Sequence, residues 1–221
     1  MQRLKLQRLK IIVVVFLALV ACQTPQADKQ AQHTDEQLTR YVNPFIGTDG
    51  MGNTYPGATT PFGMVQLSPD IGIPGWDRIP GYFYPDSLIT GFSHTHLSGT
   101  GAGDLYDILV MPTNSRFNQR IKENNGKPFS YFSHQSEKAT AGYYAVDLSS
   151  YGIRAELTAT PRVGVQRYTF PKDDTSKITV DLDYTINWDK PTETYMKVVD
   201  DSTLEGYRYS TGWARDQKVY F

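Results

Sequence analysis

Two of the four histidines in this chain stand two residues apart, in the stretch GFSHTHLSGTG at residues 91–101. In a strand, His94 and His96 would project to one face, a spacing that can grip a metal ion. Zinc needs three or four ligands. The nearest carboxylates, Asp104 and Asp107, follow glycines 99, 101 and 103, which leave their placement open. The pair therefore reads as hydrogen bonding within a loop, or to a ligand hydroxyl, and no metal is expected on this chain. Ser93 and Ser98 near the histidines suggest a nucleophile, but the stretch HLSGTG lacks the GxSxG elbow. GTGAGD has no Walker lysine and no GxGxxG leading into a helix, which argues against a phosphate cradle.

Glycoside hydrolysis needs two carboxyl groups, one acid and one base or nucleophile. Asp70, Asp77, Asp86, Asp104 and Asp107 all fall in Gly- and Pro-rich sequence, where aspartate mostly makes turns and caps. No pair stands out, and no catalytic residue is assigned. Trp76, between Pro74-Gly75 and Pro80-Gly81, is the most informative aromatic. Its ring either stacks on the apolar face of a sugar or folds back over the core; the residues leave both open. His134 reads as a surface residue and His33 as a solvated one.

The elements that must position these groups begin after a leader. Residues 1–21 carry Arg3, Lys5, Arg8 and Lys10, then an uncharged apolar run. That run is too short for a spanning helix and fits a secretory signal. It ends in LVAC, which resembles a bacterial lipoprotein signal with Cys22, the only cysteine, as the lipidated residue. Acyl chains would anchor the protein to a membrane at about 0.8 kcal/mol per buried methylene. Gln23 resembles an outer-membrane address, so the expected location is the cell envelope, as an outer-membrane lipoprotein. Residues 22–40 are polar and aperiodic and read as a tether.

From residue 41 to residue 221, short runs alternate apolar and polar residues between Gly, Pro, Asn and Asp. Residues 143–148, 154–160, 162–170, 177–184 and 195–199 show the strand period of two. PFGMVQLSP and YDILVMP read as buried strands. The expectation is an all-β antiparallel sandwich, with a loop-rich region from residue 43 to 113 where binding groups would sit. A net charge of −1 excludes nucleic acid as the expected partner. The last residues, GWARDQKVYF, read as a strand in progress, so the sequence looks like a fragment of a longer protein.

Three motifs carry a family resemblance: NPFIGTDGMGNTYPGATTPFGMVQLSPD, GWDRIPGYFYPDSLITGFSHTHLSGTGAGDLYDILVMP and AELTATPRVGVQRYTFP. Together they resemble the N-terminal domain of the bacterial α-mannosidases of glycoside hydrolase family 92, over residues 41–221. The resemblance implies a large sandwich of the galactose-mutarotase type beside a helical catalytic domain. It implies exo-hydrolysis of terminal, often α-1,2-linked, mannose from N-glycans or mannans, with inversion and with calcium in the complete enzyme. The acid, the base and most of the calcium shell would belong to the helical domain, so this portion alone is expected to be inactive. Trp76 resembles the tryptophan flanking the leaving sugar. The SHTHLSGTG loop resembles one beside the active site, so His94 and His96 would be substrate-binding residues, hydrogen-bonding near the substrate or across the domain interface and not holding a metal. Met51 and Asn53 stand where some relatives carry histidines, a departure from the family pattern in that first glycine loop. The alternative reading is a free-standing carbohydrate-binding surface lipoprotein without hydrolytic activity.

Overall fold

The computed structural model describes residues 37–117, 126–172 and 175–221. The segments expected to be the signal (residues 1–21) and nearly all of the tether (residues 22–40), with Cys22 and His33, lie outside the described residues. No helix among the described residues is long and apolar enough to cross a membrane.

Fourteen strands follow one another among the described residues: β1 (Ala58–Thr59), β2 (Gln66–Asp70), β3 (Leu88–Ile89), β4 (Gly91–Ser93), β5 (Leu109–Thr113), β6 (Ser130–Tyr131), β7 (Lys138–Thr140), β8 (Tyr143–Leu148), β9 (Ile153–Ala159), β10 (Gly164–Thr169), β11 (Lys177–Asp181), β12 (Lys190–Asp200), β13 (Thr203–Thr211) and β14 (Gln217–Tyr220). Three short 3-10 turns are the only helical pieces among the described residues. Every strand pairing is antiparallel.

A five-stranded sheet in the order β1-β2-β4-β5-β11 faces a four-stranded sheet in the order β10-β9-β8-β7. Alternation dictates what lies between them. In β9, Ile153, Ala155 and Leu157 point inward, whereas Arg154, Glu156 and Thr158 point outward. The register sets Tyr144 opposite Leu157, Val146 opposite Ala155 and Leu148 opposite Ile153, so one face of β8 and β9 is apolar. These side chains meet Leu67, Phe92 and Met111 of the opposing sheet in the main core. Burying each large one stabilises the fold by roughly 1.5–3 kcal/mol. The protein is thus an all-β sandwich.

Glu137 and His134 are drawn together against this framework. Glu137 accepts from the hydroxyls of Tyr82 (3.0 Å) and Tyr144 (2.5 Å) and from Nδ1 of His134 (2.7 Å). His134 is therefore half-buried, stacked on Tyr84 at 4.1 Å, and not the plain surface residue its polar neighbours suggested.

A three-stranded sheet, β12-β13-β14, completes the fold. Its hairpin is long, with Lys190 opposite Thr211 at the base and Asp200 opposite Thr203 at the tip. Arg208 and Ser210 of β13 are buried, whereas Val198 and Leu204 near the tip are exposed. The inner face of β13 thus carries an arginine into the body of the domain.

Candidate functional site: a tryptophan surface over a buried charge layer

The chain leaves β4 at Ser93, so His94 and His96 are not in a strand and their rings diverge. Nδ1 of His94 faces the carbonyl of Ile108 at 2.8 Å, and its Nε2 faces Nε2 of Gln166 at 3.1 Å. The first nitrogen donates and the second accepts, which fits a neutral ring; burial also lowers the His94 pKa. A β-carbon on Gly164 would lie 2.7 Å from His94 Cδ2, so the glycine of RVGVQRY leaves room for this ring.

His96 turns the other way. Nδ1 faces the carbonyl of Gln66 at 2.6 Å, and Nε2 faces Asp70 Oδ1 at 3.0 Å and Ser93 Oγ at 3.1 Å. A carbonyl only accepts, so Nδ1 of His96 donates to Gln66. The side chains of His96 and Asp70 are fully buried. Gly81, at φ +87°, approaches so closely that a β-carbon would lie 2.3 Å from Asp70 Oδ1. All four ring nitrogens of the histidine pair thus face partners inside this domain. Serine, histidine and aspartate do meet here, but Ser93 is completely buried, where no substrate reaches it.

Between the histidines, Thr95 donates to Asp107 Oδ2 at 2.6 Å and accepts from the Asp107 amide at 2.9 Å. Asp107 also accepts from Arg208 Nη1 at 2.7 Å and Gln217 Nε2 at 3.0 Å. Arg208 Nη2 reaches Asp189 Oδ2 at 2.5 Å. Arg208, Asp107 and Asp189 are all buried, and the second oxygen of Asp189 has no hydrogen-bond partner. Burial pushes the Asp189 pKa up to about 6, against the pull of Arg208. Around Asp107 the backbone is strained: Leu105, Tyr106 and Ile108 all have left-handed φ values, at roughly 1–3 kcal/mol each. The hydrogen bonds to Thr95, Arg208 and His94 hold that conformation in place.

Above this layer runs the Gly99–Asp104 loop, and all three tryptophans of the chain adjoin it. The ring of Trp76 packs on Gly101, where a β-carbon would stand 3.1 Å from it. The amide of Trp188 donates to Gly103 O at 3.2 Å. The amides of Trp213 and Ala214 donate to Asp104 Oδ2 at 2.8 and 3.2 Å. Trp76 and Trp188 face each other at 6.4 Å, inclined by 43°, and are 56 % and 45 % exposed. Trp76 therefore projects outward, and its turn is pinned by the fork of Arg78 on Asp86 at 2.8 and 3.0 Å, with Asp77 on the other side.

Each of the five loop aspartates thus has a structural partner: histidine, arginine or backbone amide. The first glycine loop touches the same region, since Asn53 O accepts from the amide of Gly99 at 2.5 Å. Elsewhere, a cavity of about 440 Å³ lies between β3, β5 and β11, beside the ion pair of Lys127 and Asp181. No tryptophan lines it.

Residues 41–221 match the family model described as the glycosyl hydrolase family 92 N-terminal domain. The chain belongs to glycosyl hydrolase family 92. Among solved family 92 structures, an α-mannosidase from Bacteroides thetaiotaomicron, also determined in complex with mannoimidazole, is similar to this chain. It shows 42 % identity and a TM-score of 0.77, covering 84 % of this chain and 25 % of that one. A second glycosyl hydrolase of family 92 gives 31 % identity and a TM-score of 0.68, covering 82 % and 25 %. An uncharacterized secreted glycosidase of Arthroderma benhamiae is 32 % identical over 148 residues, which is 65 % of this chain and 19 % of that protein. The chain thus spans about a quarter or less of the length of these family 92 and glycosidase relatives.

The sequence singled out Trp76 but not Trp188, Trp213 or Arg208. The one signal available was the composition of LDYTINWD at residues 182–189, an aromatic-rich stretch that breaks strand alternation.

Proposed function

We propose that this domain supplies one wall of a mannose-binding site in an α-mannosidase that removes terminal, often α-1,2-linked, mannose. The exposed Trp76–Trp188 pair carries the reading. Two inclined indoles offer flat apolar faces to the C–H face of a pyranose, and their N–H groups remain able to donate. His94 and His96 act beneath this wall, by fixing the loop that bears Gly101 and Gly103. The acid and base come from residues outside those described, because the loop aspartates are held by cations and amides. Inversion needs an acid and a base about 6.5–9.5 Å apart, with water between them.

Calcium, implied by the family resemblance, takes six to eight oxygens. The described residues do not form such a shell: Asp104, Asp107 and Asp70 are already committed, and Asp189 has one uncommitted oxygen. Cys22 is the lipidated residue in this reading, and the protein is carried on the cell envelope. Labelling with a radioactive fatty acid, abolished by Cys22→Ala, checks that part.

The central test is titration of the full-length protein with α-1,2-mannobiose. Trp76→Ala and Trp188→Ala are each expected to weaken binding by roughly tenfold, at about 1.4 kcal/mol. Unchanged affinity in both would overturn the assignment, as would mannose release by the purified 221-residue chain alone.

A further inference from the structure

We propose that Arg208 is a positioning residue for the sugar-facing tryptophans, clasping the irregular segment that ends at Trp188 to the histidine loop. The proposal rests on the reading of Trp76 and Trp188 as a sugar wall. Residues 182–189 lie between β11 and β12 and contain no strand or helix. Such a segment has no ladder to fix it, so its backbone must be held by other groups. One guanidinium provides two such backbone ties and a third to a side chain of the segment. Arg208 Nε donates to Leu182 O at 3.0 Å, Nη2 donates to Tyr184 O at 3.1 Å, and Nη2 also reaches Asp189 Oδ2 at 2.5 Å. Its remaining arm, Nη1, holds Asp107 at 2.7 Å. Asp107 in turn is bonded to Thr95, between the two histidines. A continuous line thus runs from the histidine loop through Asp107, Arg208 and Asp189 to Trp188.

The planar fork matters here, since an ammonium is a point donor on a flexible stem and cannot serve four acceptors spread across a plane. The geometry also places the clasp on the inner face of β13, whose cross-strand partner of Arg208 is Val219. Of the acidic groups Asp104, Asp107 and Asp189, the charges of the first two raise the pKa of the third. Arg208 is the cation bonded to two of them, so its removal leaves buried charge uncompensated.

The experiment uses the full-length protein with α-1,2-mannobiose as substrate and compares Arg208→Lys and Asp189→Asn with the parent. The expected result is a KM raised about fivefold or more while kcat changes by less than about twofold, the pattern of lost binding geometry. Trp188 emission should shift to the red in parallel. A lower melting temperature with unchanged KM and unchanged emission would make Arg208 a purely structural residue and overturn the proposal. Should both variants fail to fold, hydrogen exchange on the parent decides: residues 182–189 should be protected well beyond exposed loops, and equal exchange would overturn the clasp. If Trp76→Ala and Trp188→Ala leave KM unchanged, the sugar wall itself fails. If they raise KM and Arg208→Lys does not, only the positioning role fails.

Discussion

The indole of Trp76 rests on Gly101: a β-carbon at that glycine would stand 3.1 Å from both Cη2 and Cζ2 of the ring. The absence of a side chain at residue 101 therefore sets how far the tryptophan projects from the loop, and with it the shape of the surface shared with Trp188.

That contact makes Gly101→Ala informative. The ring must give by a few tenths of an ångström, and Gly101→Val would displace it further. Binding of α-1,2-mannobiose is expected to weaken by roughly three- to tenfold, with folding stability within about 1 kcal/mol of the parent, as for a surface change. Calorimetric titration beside thermal melting separates the two effects.

Gly81→Ala should act on stability. Its φ of +87° disfavours any side chain, and the new carbon would meet Asp70 Oδ1 at 2.3 Å, forcing apart the buried Asp70–His96 pair. A loss of roughly 3 kcal/mol or more is expected, read from the urea midpoint. A loss below about 1 kcal/mol would show that the pair accommodates the change.

The pH dependence follows from His94 and Asp189 with opposite signs. His94 has a folded pKa below its ordinary value, so the unfolded chain binds the extra proton first, and this contribution to stability is lost as pH falls below about 6.5. Asp189 is raised to about 6, so the folded state holds the extra proton, and its contribution falls as pH rises from about 4 through 6. Denaturant titration across pH 4–8 should show the His94 component vanish in His94→Gln and the Asp189 component vanish in Asp189→Asn.

Leu157→Ala probes the sandwich itself. Leu157 is 1 % exposed and lies opposite Tyr144 in the main core. Truncation should cost roughly 2–5 kcal/mol and leave sugar affinity unchanged in the fraction that remains folded, as measured by titration below the new melting point.

Several strands were legible because alternation is local. The runs that became β8, β9 and β10 show period two, and their registers follow from which face is apolar. β13 escaped notice because Gly206 and the charged Glu205 and Arg208 break that pattern; Arg208 faces inward only because Asp107 and Asp189 receive it. The histidine spacing suggested a shared face, yet β4 stops at Ser93 and the two rings part. The residues at 76 allowed a ring turned in or out, and contact with Gly101 decided for out.

The sequence by itself determined an all-β sandwich and, through its long motifs, the family. Tertiary structure alone decided that Trp76 meets Trp188 and that Arg208 lies beneath them. The physical reason is range: alternation and turn chemistry are set within a few residues. The meeting of residues 76, 107, 188 and 208 depends on how separate sheets pack, and no local spacing encodes that.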